Sequence, residues 1–124
     1  MNRFSQWMAA SVLAVGAVVV GSQQAHAGFG AIAYSPATGS YGYSYNHTTQ
    51  AGAEFAAVQA CSAYAGDCQA QLWFQNSCGA LAVSPSGAFG TGWGATVALA
   101  QAYAVQTCSQ YGGGCYIKYS LCTQ

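Results

Sequence analysis

Apolar and polar positions follow distinct regimes along this chain. Met8 to Val20 is almost continuously apolar. From Gly30 onward, short stretches alternate large and small or apolar and polar residues with period two, as strands do. Between them lie two Ala-rich segments, Thr49 to Tyr64 and Thr96 to Tyr111, without that alternation and with a composition that favours helix. The strand-like stretches come in matched sets. Gly30-Ala31-Ile32-Ala33-Tyr34-Ser35-Pro36 returns as Gly79-Ala80-Leu81-Ala82-Val83-Ser84-Pro85. Gly39 to Tyr45 returns as Gly87 to Trp93, with aromatics at alternate positions, and Gln69 to Gln75 returns as Tyr116 to Leu121.

The pattern is therefore an internal duplication, about 30–78 and 79–122, each copy reading strand, turn, strand, helix, strand. Ser-Pro-Ala-Thr-Gly and Ser-Pro-Ser-Gly join the first two strands: Pro presets φ and Gly accepts a positive φ, as a tight connection requires. Thr48 or Thr49, and Thr96, are placed to cap the helices, and Gly66 and Gly112 to Gly114 to stop them. Phe55, Val58 and Ser62, and Tyr103, Val105 and Cys108, are expected to supply the helices' apolar sides. In the third strands Ala70, Leu72 and Phe74 match Ile117, Tyr119 and Leu121 as an inward face, with Gln69, Gln71, Trp73, Gln75, Tyr116, Lys118 and Ser120 outward. The expected fold is α+β: two pseudo-symmetric units, packed face to face or side by side, form a mainly antiparallel sheet whose one side is covered by two helices.

The N-terminal apolar run needs a different explanation. Arg3 precedes it, and Gly21-Ser22-Gln23-Gln24 and then Ala25-His26-Ala27 follow it, the layout of a cleavable secretory signal. The run falls short of the roughly 20 residues that a spanning helix needs. The reading is a signal peptide over 1–27, a single domain over 28–124, a secreted or periplasmic location and no membrane span after cleavage. No cysteine follows the run to carry a lipid anchor.

All six cysteines lie beyond Ala27, an even count that in an exported chain implies disulfides. Their spacing lacks the close Cys-x2-Cys pair of a zinc site, and the one histidine of 28–124 lies far upstream of them. Equivalent cysteines of a duplicated unit should behave equivalently. This pairs Cys61 with Cys68, Cys108 with Cys115, and Cys78 with Cys122 across the units; a helix-to-helix Cys61 to Cys108 bond is the rival. Loop-closure entropy assigns about 2.5 kcal/mol to each short loop and about 4 kcal/mol to the long one.

Charge narrows the function classes. Residues 28–124 keep only Glu54, Asp67 and Lys118 as charged side chains, and His47 as a histidine. Gripping phosphates requires several cations, so nucleic acid is excluded as a partner. His47, Glu54 and Asp67, with a Ser or Thr nucleophile, are the only material for acid/base chemistry. They read more simply as a turn histidine, a solvated glutamate favourable to the helix dipole and a turn aspartate. Lys118 reads as an edge residue. No catalytic residue, metal ligand or cofactor is assigned. Asn46-His47-Thr48 fits a glycosylation sequon that is accidental in this setting.

Aromatic residues are the better candidates. Tyr41, Tyr43 and Tyr45 stand on one side of a strand whose other side is Ser40, Gly42 and Ser44, and Phe89 and Trp93 repeat the arrangement. Either the rings form the core against the helices and the Gly/Ser face is wet, which the small size of the other residues favours, or they face out with Trp73 and Tyr116 as a contact surface.

The Gly-Ala-Ile-Ala-Tyr-Ser-Pro opening, the Cys-x6-Cys after each helix, the Cys78-Gly79-Ala80-Leu81-Ala82 junction and the Trp93-Gly94-Ala95-Thr96 segment resemble the bacterial family called domain of unknown function 4189. The resemblance covers nearly all of 28–124. It implies export and one small disulfide-bonded domain, and brings no catalytic or binding residues with it. The expected function is non-enzymatic binding of a protein or an envelope glycan. A small hydrolase or redox protein using His47, Glu54 or a labile disulfide, and a structural or stress-related envelope component, are the alternatives.

Overall fold

The computed structural model describes residues 28–124; the signal peptide expected over 1–27 lies outside the described residues. The order of elements is β1 (Phe29–Tyr34), β2 (Tyr41–His47), α1 (Gln50–Ser62), β3 (Gln69–Gln75), β4 (Cys78–Val83), β5 (Phe89–Gly94), α2 (Val97–Ser109) and β6 (Tyr116–Cys122). Two antiparallel three-stranded sheets result, with orders β2-β1-β3 and β5-β4-β6. The class is α+β and the layout is two pseudo-symmetric units.

The central strands explain how the layers stack. Ala31 and Ala33 of β1 pack with Ala53, Ala57 and Cys61 of α1, while Ala80 and Ala82 of β4 pack with Ala100, Ala104 and Cys108 of α2. The intervening residues, Ile32 and Tyr34 of β1 and Leu81 and Val83 of β4, meet one another and Phe74 between the sheets. Both central strands are thus buried on both faces, and their alternation is small against large. Alanines let a helix approach closely; the larger side chains fill the space between two sheets about 10 Å apart. The helices consequently lie on opposite outer sides of a double sheet, not together on one side of a single sheet.

The helices bury only part of the stripe expected: Cys108 is buried and Val58 and Val105 pack against the cores, but the aromatic members turn outward. Phe55 is 64% and Tyr103 48% exposed, and the sheet-facing residues are the alanines and Cys61 or Cys108. The reason lies in the strands beneath. A Cβ on Gly42 would stand 2.3 Å from the Cys61 amide nitrogen, and one on Gly90 2.3 Å from that of Cys108. At such an approach only alanine-sized groups fit between helix and strand.

Local chemistry sets the ends of the elements. Thr49 Oγ1 accepts from the Gly52 amide at 3.0 Å and Thr96 Oγ1 from the Leu99 amide at 3.2 Å, as N-caps do. Gly39 and Gly87 hold φ of 79° and 97° in the two hairpin turns. The helix C-termini depart from expectation: the caps are Ala63 and Gln110 in right-handed conformation, and the positive φ of Gly114 serves the turn into Cys115 instead.

Disulfides join Cys61 to Cys68, Cys108 to Cys115 and Cys78 to Cys122. The two short ones tie each helix end to the strand that follows. Cys78 and Cys122 are direct register partners on β4 and β6, so that bond bolts neighbouring strands of one sheet and does not link the two units. The units are joined differently. Asn46, at φ 58°, donates its amide to Thr123 Oγ1 at 2.8 Å, and its Oδ1 accepts from the Thr123 hydroxyl at 2.9 Å and the Gln124 amide at 3.0 Å. The sequon asparagine is thus the dock for the end of the chain.

Candidate binding surface

The third strands set the geometry of the surface. Ile32 pairs with Leu72 and Ala33 with Ala70, leaving Gln71 as an extra residue; Leu81 pairs with Tyr119 and Ala82 with Ile117, leaving Lys118 as its counterpart. Each bulge breaks the expected alternation. Leu72, Phe74, Tyr119 and Leu121 face the other sheet, but Ile117 packs in the helix-side core, and Ala70 shares the helix side with its partner Ala33. One inserted residue reverses every side chain before it.

The second strands correct the reading of the tyrosines. Their Gly/Ser side is the covered one: Ser44 is 5% exposed and its hydroxyl donates to the Ala53 carbonyl of α1 at 2.6 Å. Tyr41, Tyr43 and Tyr45 therefore turn away from the helix, toward the other sheet. Tyr43 stacks on Tyr119 of β6 with ring centroids 4.5 Å apart and planes at 25°, and Tyr41 lies 5.3 Å from the same ring. Tyr41 is half-buried, whereas Tyr43 and Tyr45 are 40% and 55% exposed. Burial, then a hydrogen bond shared with Tyr43, then the neighbouring phenols push the Tyr119 pKa up to about 12. Tyr34, paired with Phe89 across the sheets at 5.1 Å, is also raised, by burial and then by nearby Tyr116.

On the other margin of the double sheet, β3 lies over β5. Here a cleft of about 480 Å³ runs along the β3 edge, lined by Gln71, Leu72, Trp73, Phe74 and Gln75 and, from the opposite sheet, by Trp93. Trp73 stands on the α1 side of its sheet, opposite Ala31 and 6.1 Å from Phe29, and Trp93 lies opposite Gly79 on the face toward Phe74. Trp73 is 44% and Trp93 59% exposed. No charged side chain lines this cleft. The indole of Trp93 offers apolar area with an N–H donor, Trp73 borders the same edge, and the glutamine amides offer both donors and acceptors. Such a set suits a neutral ligand with an apolar ring face and peripheral hydroxyl or amide groups.

The expected aromatic surface is therefore two surfaces. Trp73 and Trp93 border one cleft from different sheets; Tyr41, Tyr43 and Tyr45 gather with Tyr119 on the opposite margin; Tyr116 stands exposed near Tyr34. Reasoning from sequence missed Tyr119 as the tyrosines' partner, and missed Gln71 and Gln75 as companions of the tryptophans. The repeat held a usable signal, since Trp93 corresponds to Tyr45 and Leu72 to Tyr119.

Among the described residues the ionisable side chains do not assemble. His47 ends β2 opposite Phe29, at one end of β1. Asp67 accepts from the Ser35 hydroxyl just past its other end, roughly 20 Å away at the rise of a strand. Glu54 accepts from Gln50 Nε2 at 3.3 Å on the surface of α1. Lys118 borders a separate hollow with Tyr41, Tyr43 and Tyr64.

Comparison with known proteins supports the fold. A family model described as Domain of unknown function (DUF4189) matches residues 29–122. The NMR structure of Rv1813c from Mycobacterium tuberculosis is similar at a TM-score of 0.57 and 23% identity, over 98% of this chain and 92% of that one. No curated protein matches the chain.

Proposed function

The chain belongs to the DUF4189 family, whose description assigns no activity, and we propose from its surface that it is an exported, non-enzymatic domain that binds a neutral glycan of the cell envelope. Export is supported by the signal layout of residues 1–27 and by the engagement of every cysteine in a disulfide, bonds that form outside the reducing cytosol. Among the described residues no helix is long and apolar enough to cross a membrane.

The observation that carries the binding role is one uncharged cleft along the β3 edge that Trp73 and Trp93 both line, with Gln71 and Gln75 beside them. A pyranose presents a C–H face to an aromatic ring and hydroxyls around its rim, which indole and amide groups match. A protein partner would be expected to use the same exposed aromatics as anchors, but it gains little from an uncharged cleft of this small size.

With residues 1–27 removed, Trp73 and Trp93 are the only tryptophans, so intrinsic fluorescence reports on the cleft alone. Titration with soluble neutral oligosaccharides, among them fragments of envelope glycans, is expected to shift or quench the emission. Trp73→Ala and Trp93→Ala should each weaken binding at least tenfold, measured by calorimetry. Absence of any response to such a panel at millimolar concentration, or binding unchanged by both substitutions, refutes the proposal.

A further inference from the structure

The two units expose four sheet-edge strands, β2, β3, β5 and β6, and edges invite pairing unless a charge, a proline or a bulge blunts them. β6 carries Lys118 at its bulge and β3 is bulged at Gln71. β2 loses register between Phe29 and Ala31 and carries left-handed Asn46. β5 has none of these guards. Its six residues pair with β4 without a break, Cys78 with Gly94 through to Val83 with Phe89, and Phe89-Gly90-Thr91-Gly92-Trp93-Gly94 contains no charge and no proline.

The flank of β5 is equally unguarded. Helix α2 contains no charged residue, and it exposes Val97 at 38%, Leu99 at 43% and Tyr103 at 48%. Leu99 and Tyr103 border a groove of about 500 Å³ with Thr91, Gly92, Trp93 and Gly94. The pseudo-symmetric positions in α1 are Gly52 and Ala56, and α1 carries Glu54 where α2 has Gln101. Only the second unit combines a regular strand edge with large apolar residues beside it.

We propose that this margin is where a second copy of the chain pairs, β5 to β5 antiparallel, as a weak two-fold dimer. Self-pairing about Thr91 sets Thr91 opposite Thr91 of the copy and Phe89 opposite Trp93 of the copy. Residues directly opposite each other in an antiparallel pair share a face, and Phe89, Thr91 and Trp93 all stand on the same face of β5. The patch is thus self-complementary, as an isologous contact must be, and it sets no like charges against each other. Extending the sheet also brings the Leu99 and Tyr103 strips of the two α2 helices side by side. The area limits the strength. Six residues span about 20 Å, and a strand edge plus its covering helix is roughly 20 Å deep. About 400 Å² per copy results, roughly half of a standard interface, which places it with weak, transient contacts. This inference does not depend on the glycan reading, because its test needs no ligand.

The test is sedimentation velocity on the oxidised protein from about 10 μM to 1 mM, a range that reaches weak association. The expected result is a reversible rise in weight-average sedimentation coefficient toward a dimer. Thr91→Lys, which sets two ammonium groups against each other at the two-fold, should weaken the dimer at least tenfold. Leu99→Lys, on the exposed helix surface where folding is not at risk, should do likewise, while Gln59→Lys on α1 leaves it unchanged; circular dichroism verifies the fold of each. A monomer throughout the range, or a dimer indifferent to both Thr91→Lys and Leu99→Lys, overturns the proposal.

Discussion

Replacing Gly90 by alanine tests the close approach of helix to sheet on which the layering depends. In an ordinary strand this substitution is favourable by about 0.5–1 kcal/mol, since glycine loses more backbone freedom on folding. Here the added methyl would lie 2.3 Å from the Cys108 amide nitrogen and 2.8 Å from the Ala104 carbonyl oxygen, against at least 3.4 Å for ordinary contact. The obstacle is backbone, so α2 must retreat by roughly 1 Å. Its C-terminal end is tethered by the Cys108 to Cys115 disulfide, which limits any rigid slide. A gap of that size forfeits a quarter to a half of the dispersion attraction between Ala82 and the Ala100, Ala104, Cys108 stripe. Overpacking costs about 1–3 kcal/mol, and rigid backbone on the far side puts Gly90→Ala near the upper end, at about 3 kcal/mol. For a domain of this size that lowers Tm by roughly 12–24 °C. Urea unfolding followed by circular dichroism on the disulfide-bonded protein measures the loss. Gly42→Ala, 2.3 Å from the Cys61 amide nitrogen, should match it within about 1 kcal/mol, and Gly113→Ala, with nothing within 4 Å, should be near neutral. A Gly90→Ala protein as stable as the parent, or a Gly113→Ala protein equally weakened, would refute the reasoning.

Two further outcomes follow from the structure. Tyr119 has its pKa raised from 10.0 to about 12, so absorbance at high pH should show a phenol ionising near pH 12, and Tyr43→Phe should bring that step down. Because the unfolded chain gives up that proton first, the stability tied to neutral Tyr119 is complete below pH 10 and is lost as pH rises from 10 toward about 12; unfolding curves across that window that do not move would contradict this. Thr123→Val keeps the shape of a side chain that is 4% exposed but removes both its bonds to Asn46. A cost of about 1 kcal/mol is expected, since exposed Asn46 keeps its bond from the Gln124 amide, and a urea midpoint unchanged from the parent would show that the chain end contributes nothing to joining the units.

Much of this molecule was determined by sequence alone. Elements and turns are local matters: Thr49 and Thr96 cap their own helices, Gly39 and Gly87 supply the φ their turns require, and the period-two stretches have no other regular structure to adopt. The duplication fixed the two-unit layout, since similar segments meet similar physics. Tertiary structure decided which face each element turned inward. Ala-Ile-Ala-Tyr and Ala-Leu-Ala-Val do not reveal whether the small or the large set meets a helix; that follows from two sheets enclosing the large residues and two helices settling on the small ones. The same choice buried Ser44 and Gly42, turned the tyrosines to the margin and left Phe55 and Tyr103 outside. The bulges at Gln71 and Lys118 carry no signature in composition, yet each reverses the strand residues before it. The cleft depends on the stacking of the sheets, because its β3 lining and Trp93 belong to different ones and border the same space only where β3 passes β5.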